Sequence, residues 1–123
     1  MPNLGLINWL SQQDADLLYI SSITIGEITS GIVRLGETKK AKELMRWLEG
    51  LQQSFEGRVL PIDAKVAECW GRLLADCEAV GKPRPAIDAL ICATAKVHNL
   101  TLVTRNVKDM EGMGVKIFNP FTE

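Results

Sequence analysis

Short apolar runs alternate along this chain with longer segments in which apolar residues recur at helical spacing. The short runs predict buried strands and the longer segments predict amphipathic helices. Alternation of the two favours a three-layer α/β/α fold with a mostly parallel sheet of about four short strands. The predicted order is α-β-α-α-β-α-α-β-β, with strands at 17–20, 58–62, 100–104 and 115–118, and helices at about 3–13, 23–35, 38–54, 63–80 and 86–98.

Composition limits the classes of protein that fit this pattern. The chain has 123 residues and 46% hydrophobic content, which suits one compact core, so we predict a single domain over residues 1–123. The net charge of -1 excludes a uniformly basic nucleic-acid-binding surface, so any RNA contact must be local. An odd number of cysteines without a CxxC pair, no signal peptide and no apolar run long enough to span a membrane predict a cytoplasmic protein.

Acidic and polar side chains follow the predicted strands, at the edge where α/β proteins bind ligands. Glu27 lies in the first turns of the helix after strand 17–20, and Asp88 lies in the first turn of the fifth helix. Thr104, Asn106 and Asp109 follow strand 100–104. Oxygen ligands of this kind suit hard cations such as Mg²⁺ or Mn²⁺, which activate water and neutralise charge in phosphodiester cleavage.

Each of these residues also has a purely structural interpretation. Residues 24–27 fit a capping box, in which Glu27 bonds back to the helix start. Asp88 complements the positive end of a helix dipole, and Asn106 is a good helix cap. The residues alone leave both interpretations open.

Other chemistry is less favoured by the sequence. His98 is the single histidine, which excludes histidine-rich metal sites, and its position at a helix end suits a terminal charge. Ser21 and Ser22 are better explained as helix caps than as nucleophiles. The lysines near residue 40 alternate with acids and are best read as a solvated helix face.

Three motifs together resemble the PIN-domain family, and specifically its VapC/FitB toxins. They are ISSITIGEI at 20–28, IDALICATA at 87–95 and LVTRNVKD at 102–109, finished by VKIFNPF at 115–121. They occur in the family's order at suitable spacing and extend over nearly the whole chain. The combination is much more specific than any one motif and outweighs the capping interpretations.

The resemblance implies a PIN-like fold and a metal-dependent endoribonuclease that cleaves single-stranded RNA. It implies that Glu27 and Asp88 are two acids of the metal site and that Thr104 supports it. Asn106 stands where many members have an acid, and Asp109, one helical turn further on, is the alternative carboxylate. The implied catalytic set is therefore Glu27, Asp88, Asn106 and Asp109, with Mg²⁺ or Mn²⁺ held by the first three.

The resemblance also implies a departure at the start of the chain. Family members begin with a short strand that carries a first catalytic aspartate and sits in the middle of the sheet, whereas this sequence begins Met1-Pro2-Asn3. Asp14 and Asp16 follow the first helix and do not replace that aspartate. We consider three explanations: a misassigned start, direct pairing of the flanking strands, and a dimer that lends a strand or exchanges elements.

The expected function is that of a toxin of a type II toxin–antitoxin system, with weakly bound metal and reduced nuclease activity. The expected partners are a second copy in a homodimer, a small cognate antitoxin and an RNA substrate. One alternative is a non-catalytic remnant that acts through dimerisation or antitoxin binding. Another is an unrelated α/β binding domain whose acids are all helix caps.

Overall fold

A computed structural model describes residues 4–122, and its helices and strands follow the predicted order except that a short helix separates the last two strands. The predicted cap of the first helix, Asn3, lies outside the described residues. The elements are α1 (Leu4–Ser11), β1 (Ile20–Ser21), α2 (Ser22–Val33), α3 (Lys39–Ser54), β2 (Val59–Leu60), α4 (Ala64–Ala79), α5 (Ala86–Val97), β3 (Leu102–Val103), α6 (Val107–Met110) and β4 (Ile117–Phe118).

All four strands are shorter than predicted. The largest correction concerns the run 17–20, where a 3₁₀ turn occupies Ala15–Leu17 and only Ile20 joins a strand. The Asp14 side chain accepts a hydrogen bond from the Asp16 amide at 3.0 Å and so holds the chain in that turn. Leu17 and Tyr19 are exposed, so most of this apolar run belongs neither to a strand nor to the buried core.

The strands form two separate parallel pairs. In the first pair Ile20 of β1 faces Val59 of β2, and in the second Leu102 of β3 faces Ile117 of β4. The prediction of about four short, parallel strands is confirmed. The explanation in which the flanking strands pair directly is wrong for residues 4–122, because β1 and β3 are not hydrogen-bonded neighbours.

Helix starts are defined by polar side chains. Ser21 is the N-cap of α2, and its hydroxyl accepts a hydrogen bond from the Ile23 amide at 3.2 Å. The helix therefore begins before Thr24, and the capping-box interpretation of residues 24–27 is wrong. Asp63 caps α4 as predicted, since its carboxylate accepts from the Val66 amide at 3.0 Å.

Two hydrophobic clusters hold these elements together. The larger one joins α4 and α5 to α6 and to the turn before β4, and it includes Val66, Ala93 and Met113, all at most 2% exposed. The smaller one joins α2 to α3 around Ile32 and Leu48. Because α5 is buried along most of its length, its first turn is a rigid platform for whatever side chains it carries.

No helix within residues 4–122 is long and apolar enough to cross a membrane.

Candidate functional site

Asp88 projects from the first turn of α5, next to the largest core cluster, and is partly buried. Desolvation by burial raises the pKa of its carboxyl group, and the negative charge of Asp109 raises that pKa further. The N-cap of α5 is Pro85, which supplies no side-chain cap, so Asp88 lies in a first helical turn whose amide groups receive no hydrogen bond from a capping side chain. The structure thus brings two of the predicted site residues, Asp88 and Asp109, into electrostatic contact.

Asp109 lies on α6, a single helical turn that follows β3. The Thr104 hydroxyl accepts a hydrogen bond from the Asn106 amide at 3.0 Å, and this contact turns the chain sharply out of the strand. Asn106 occupies the N-cap position of α6 but makes no side-chain cap hydrogen bond. The predicted cap position is confirmed, but the amide side chain of Asn106 is not used for capping.

Arg84 ties the turn bearing Asp109 to the start of α5. Its guanidinium donates to the main-chain carbonyl oxygens of Lys108 at 3.4 Å, of Asp109 at 3.2 Å and of Glu111. Its Nε atom is buried and has no hydrogen-bond partner in residues 4–122. Gly112 has φ +85°, and a Cβ atom there would lie 3.1 Å from Nη2 of Arg84. A glycine thus permits this close approach.

The sequence assigns no role to Arg84. The available signal was an arginine between two prolines, Pro83 and Pro85, whose fixed φ angles stiffen the segment that leads into α5. The carbonyl groups that it binds are 24 to 27 positions away. Nothing in the local pattern identifies acceptors at that distance.

Glu27 lies on α2 and is exposed. It is one helical turn beyond Ile23, which packs against the core cluster that contains Ala89 and Leu90 of α5. Glu27 is not among the charges that shift the pKa of Asp88. In residues 4–122, no three His, Cys, Asp or Glu side chains are grouped closely enough to hold a metal ion. The structure therefore assembles Asp88 with Asp109 and leaves Glu27 on the neighbouring helix.

The three acids are free to accept a ligand. The ion pair of residues 4–122 is the exposed pair Arg72 and Glu68, so Glu27, Asp88 and Asp109 are not neutralised by a basic side chain there. Asp88 is partly desolvated, and the negative charges of Asp88 and Asp109 repel each other. A hard cation bound between them would offset both the desolvation and the repulsion. The donor chemistry of Asp88 and Asp109 therefore fits Mg²⁺ or Mn²⁺.

The structure agrees with the structural roles predicted for His98, for Ser21 and for the lysines near residue 40. His98 is an exposed residue at the C-cap of α5, and Ser21 is an N-cap. The lysines at the start of α3 are exposed, as expected for a solvated face: Lys39, Lys40 and Lys42. Cys92 is buried one turn after Asp88, and burial, aided by the charge of Asp88, raises the pKa of its thiol to about 11.

In α/β domains, acidic side chains near the ends of the strands are typical of sites that bind hard cations. Comparison with known proteins makes this specific. The family model described as PIN domain matches residues 6–111. The chain belongs to the PIN-domain family, and the resemblance found in its three motifs is confirmed.

Relatives and solved structures agree with this assignment. "Toxin FitB" of Neisseria gonorrhoeae is 35% identical over 98% of this chain and 87% of its own length. "VapC ribonuclease Y4jK" of Sinorhizobium fredii is 31% identical over 98% of this chain and 86% of its own. The crystal structure of FitAcB from Neisseria gonorrhoeae matches with a TM-score of 0.91 at 35% identity, covering 98% of this chain and 87% of that one. The predicted PIN-like α/β fold is confirmed.

Proposed function

We propose that this chain is a PIN-domain toxin of a toxin–antitoxin pair and that it hydrolyses single-stranded RNA with the help of Mg²⁺ or Mn²⁺. The observation that carries the proposal is that α5 packs against the short helix α6, which places Asp109 near enough to Asp88 for their charges to interact. These carboxylates lie on two different elements, and the pKa of Asp88 is raised first by its burial and then by the negative charge of Asp109. A protein gains nothing in stability from such an arrangement, which is typical of sites that bind a cation.

The relatives support the reaction class. One relative with full-length similarity is named a VapC ribonuclease, and another at 30% identity over 71% of this chain is named "Ribonuclease VapC4", from Mycobacterium tuberculosis. Ribonuclease chemistry requires stabilisation of charge on a phosphate and activation of a water molecule. A hard cation held by an acidic site can stabilise the phosphate charge and activate the water molecule.

Each predicted residue has a role in the proposed site. Asp88 and Asp109 hold the cation directly, and Glu27 and the Asn106 amide oxygen supply further oxygen ligands. Thr104 fixes the turn that carries Asn106, through the hydrogen bond to its amide. A bound divalent cation would neutralise phosphate charge and lower the pKa of a water molecule.

Cleavage of a mixed pool of single-stranded RNA tests this proposal. We expect cleavage that requires Mg²⁺ or Mn²⁺ and that Asp88→Asn slows by at least about tenfold, the lower end of what the loss of an outer-shell partner costs a metal site. Glu49→Gln removes an exposed acid from α3 and serves as the control, with an unchanged rate expected. Equal cleavage by the Asp88→Asn variant would contradict the assignment of the site.

The proposed partners are a small antitoxin and a second copy of the chain. Support comes from solved relatives, among them a structure of FitAB bound to a DNA fragment, which matches with a TM-score of 0.92 at 32% identity and covers 100% of this chain and 87% of that one. In such a pair the antitoxin would cover the acidic site. Co-expression with an antitoxin encoded next to the gene, followed by co-purification, tests the partnership.

A second candidate function is antitoxin binding without catalysis. It is favoured by the absence, within residues 4–122, of a group of three acids able to hold a metal ion. The RNA experiment separates the two functions. If the chain only binds an antitoxin, it should co-purify with the antitoxin, and it should show no cation-dependent RNA cleavage that is lost in Asp88→Asn.

A further inference from the structure

An arginine and an aromatic ring stack against each other where strands β3 and β4 end. The guanidinium carbon of Arg105 lies 4.7 Å from the centroid of the Phe121 ring. Arg105 comes two residues after the end of β3, and Phe121 comes three residues after the end of β4. Because β3 and β4 are parallel, their carboxyl ends lie at the same edge, which is where α/β folds bind ligands.

The backbone places Arg105 beside the candidate site. Arg105 is the middle residue of the turn in which the Thr104 hydroxyl accepts a hydrogen bond from the Asn106 amide. Its Cα atom is therefore about 3.8 Å from that of Asn106, a proposed cation ligand. The same turn leads directly into α6, which carries Asp109. The positive charge of Arg105 thus belongs to the same short segment as two of the proposed cation ligands.

Phe121 is held in place because the segment after β4 is tied down at two points. The Asn119 side chain accepts a hydrogen bond from the Phe121 amide at 2.9 Å, and the Thr122 hydroxyl accepts one from the Gly5 amide at 3.3 Å. A Cβ atom on Gly5 would lie 2.5 Å from the main-chain oxygen of Pro120, so this segment packs directly against α1. The partly buried ring is a fixed surface for the guanidinium stacked on it.

The hydrogen-bonding groups of Arg105 distinguish it from a purely structural arginine. Arg58 also stacks on a ring, since its guanidinium carbon lies 4.8 Å from the centroid of Phe55, and its donors bind three main-chain carbonyl oxygens. Within residues 4–122, the exposed Arg105 guanidinium makes the ring contact but no comparable hydrogen bond and no ion pair. Its N–H donors are therefore oriented by the ring and left for a ligand.

A phosphate group fits these donors. A planar guanidinium binds a phosphate through two parallel N–H donors, which requires a fixed orientation of its plane. The three acids of the candidate site repel RNA, and the chain has a net charge of -1, so the RNA backbone needs a cationic contact close to those acids. Arg105 supplies this charge on the turn that carries Asn106.

We propose that Arg105 binds a backbone phosphate of single-stranded RNA next to the phosphate that is cleaved, and that Phe121 positions its guanidinium. The inference rests on the proposed function and adds the contact that fixes where the strand lies. A protein carboxylate would satisfy the same donors, but it would place no phosphate beside the acids that hold the proposed cation. RNA is therefore the ligand that accounts for both the acids and Arg105.

Fluorescence anisotropy with a labelled single-stranded RNA of mixed sequence measures this contact without relying on cleavage. Every sample is the full chain with Asp88→Asn in the presence of Mg²⁺, so that the strand stays intact. Arg105→Met keeps an apolar stem against the ring but removes the charge and the donors. We expect RNA binding at least about tenfold weaker, because charge-assisted hydrogen bonds are lost. Unchanged affinity, or no RNA binding before Arg105 is replaced, would overturn the proposal.

The salt dependence of binding separates a phosphate contact from a structural effect. One phosphate contact with a single strand contributes about 0.7 to the slope of log K against log salt concentration, so Arg105→Met should reduce the slope by about that amount. Arg46→Met is the matched control, because it removes one exposed positive charge from α3, and its slope should not change. Equal slopes in the two variants would contradict the contact.

Two further variants keep the charge and alter only the geometry. Arg105→Lys should preserve the salt slope but weaken binding, because an ammonium group lacks the planar pair of donors. Phe121→Leu should also preserve the slope and weaken binding, since the guanidinium loses its support. Unchanged binding by both variants would refute the role of the stacked pair. If Arg105→Met does not fold, these two variants decide.

Cleavage kinetics separate this inference from the proposed function. In the chain with Asp88 intact, Arg105→Met should raise KM at least about tenfold and leave kcat nearly unchanged, as expected for a contact made equally in the ground and transition states. Cleavage with an unchanged KM would overturn the inference and leave the proposed function standing. RNA binding that depends on Arg105, without any cleavage by the unmodified chain, would contradict the proposed function and leave the Arg105 contact standing.

Discussion

The Arg84 guanidinium lies 3.2 Å from the main-chain carbonyl oxygen of Asp109, and through this contact the loop before α5 holds the turn that carries an acid of the candidate site. Two further carbonyl groups, those of Lys108 and Glu111, accept from the same guanidinium. One side chain therefore satisfies several carbonyl groups at the end of α6 that the short helix leaves unpaired. We therefore expect the position of α6, and with it that of Asp109, to depend on Arg84.

Replacement of Arg84 by methionine tests that dependence. Arg84→Met keeps much of the aliphatic stem but removes every donor, so the free energy of unfolding should fall by about 1–3 kcal/mol. Arg72→Met is the matched control, because its exposed pairing with Glu68 should contribute at most about 0.5 kcal/mol. Urea denaturation of both variants provides the measurement, and equal losses would contradict a special role for Arg84.

Much of this fold could be predicted from the sequence. Helices α2 to α5 were placed within a few residues because their apolar periodicity and caps such as Asp63 are local signals. Strand lengths were predicted less accurately than helix bounds, because a strand extends only as far as it is hydrogen-bonded to its partner strand. The run 100–104, for example, pairs at only Leu102 and Val103. That pairing is decided by segments distant in the chain.

The candidate site was predictable in part. The sequence identified Glu27 and Asp88 as acids of the site, and it left open whether Asn106 or Asp109 joins them, since both follow the same strand. The structure brings Asp109 into electrostatic contact with Asp88 because of where α6 packs. Arg84 was missed because its acceptors are remote main-chain atoms, which carry no side-chain signature.

Asp88→Asn should stabilise the fold at neutral pH. The folded-state pKa of Asp88 is raised above its ordinary value of 3.8, first by desolvation and then by Asp109. The protonated form therefore folds better, and its contribution is fully present below pH 3.8 and lost as the pH rises through the folded-state pKa. Denaturation at several pH values should give a gain for Asp88→Asn at pH 7 that disappears below pH 3.8.

The Glu49→Gln variant is the control for that experiment, since Glu49 is exposed on α3. Its stability difference from the unmodified chain should be small at every pH tested. A loss of stability in Asp88→Asn at pH 7 would mean that the carboxylate makes a stabilising contact in solution, and the proposed repulsion with Asp109 would then be incorrect.

Cysteine alkylation should follow exposure and thiol pKa. Burial raises the pKa of Cys92 to about 11, with Asp88 adding to the effect, so about one thiol in a thousand is ionised at pH 8. Cys77 is buried as well, whereas Cys69 is only partly buried. Peptide mapping by mass spectrometry after brief iodoacetamide treatment should find Cys69 modified first. Equal modification of Cys92 in folded protein would contradict the packing around α5.

Cation binding should distinguish Asp109 from Asn106 as the second ligand group. A cation that binds only the folded chain raises its stability by about 2.7 kcal/mol at a concentration of 100 times Kd. We expect Mn²⁺ to raise the melting temperature of the unmodified chain and to have much less effect on Asp88→Asn and Asp109→Asn. Asn106→Ala should retain most of the increase, because a neutral amide contributes less than a carboxylate to the affinity for a hard cation. If Asn106→Ala abolishes the increase while Asp109→Asn keeps it, the roles are reversed, and Asp109 acts only as the neighbouring charge that raises the pKa of Asp88.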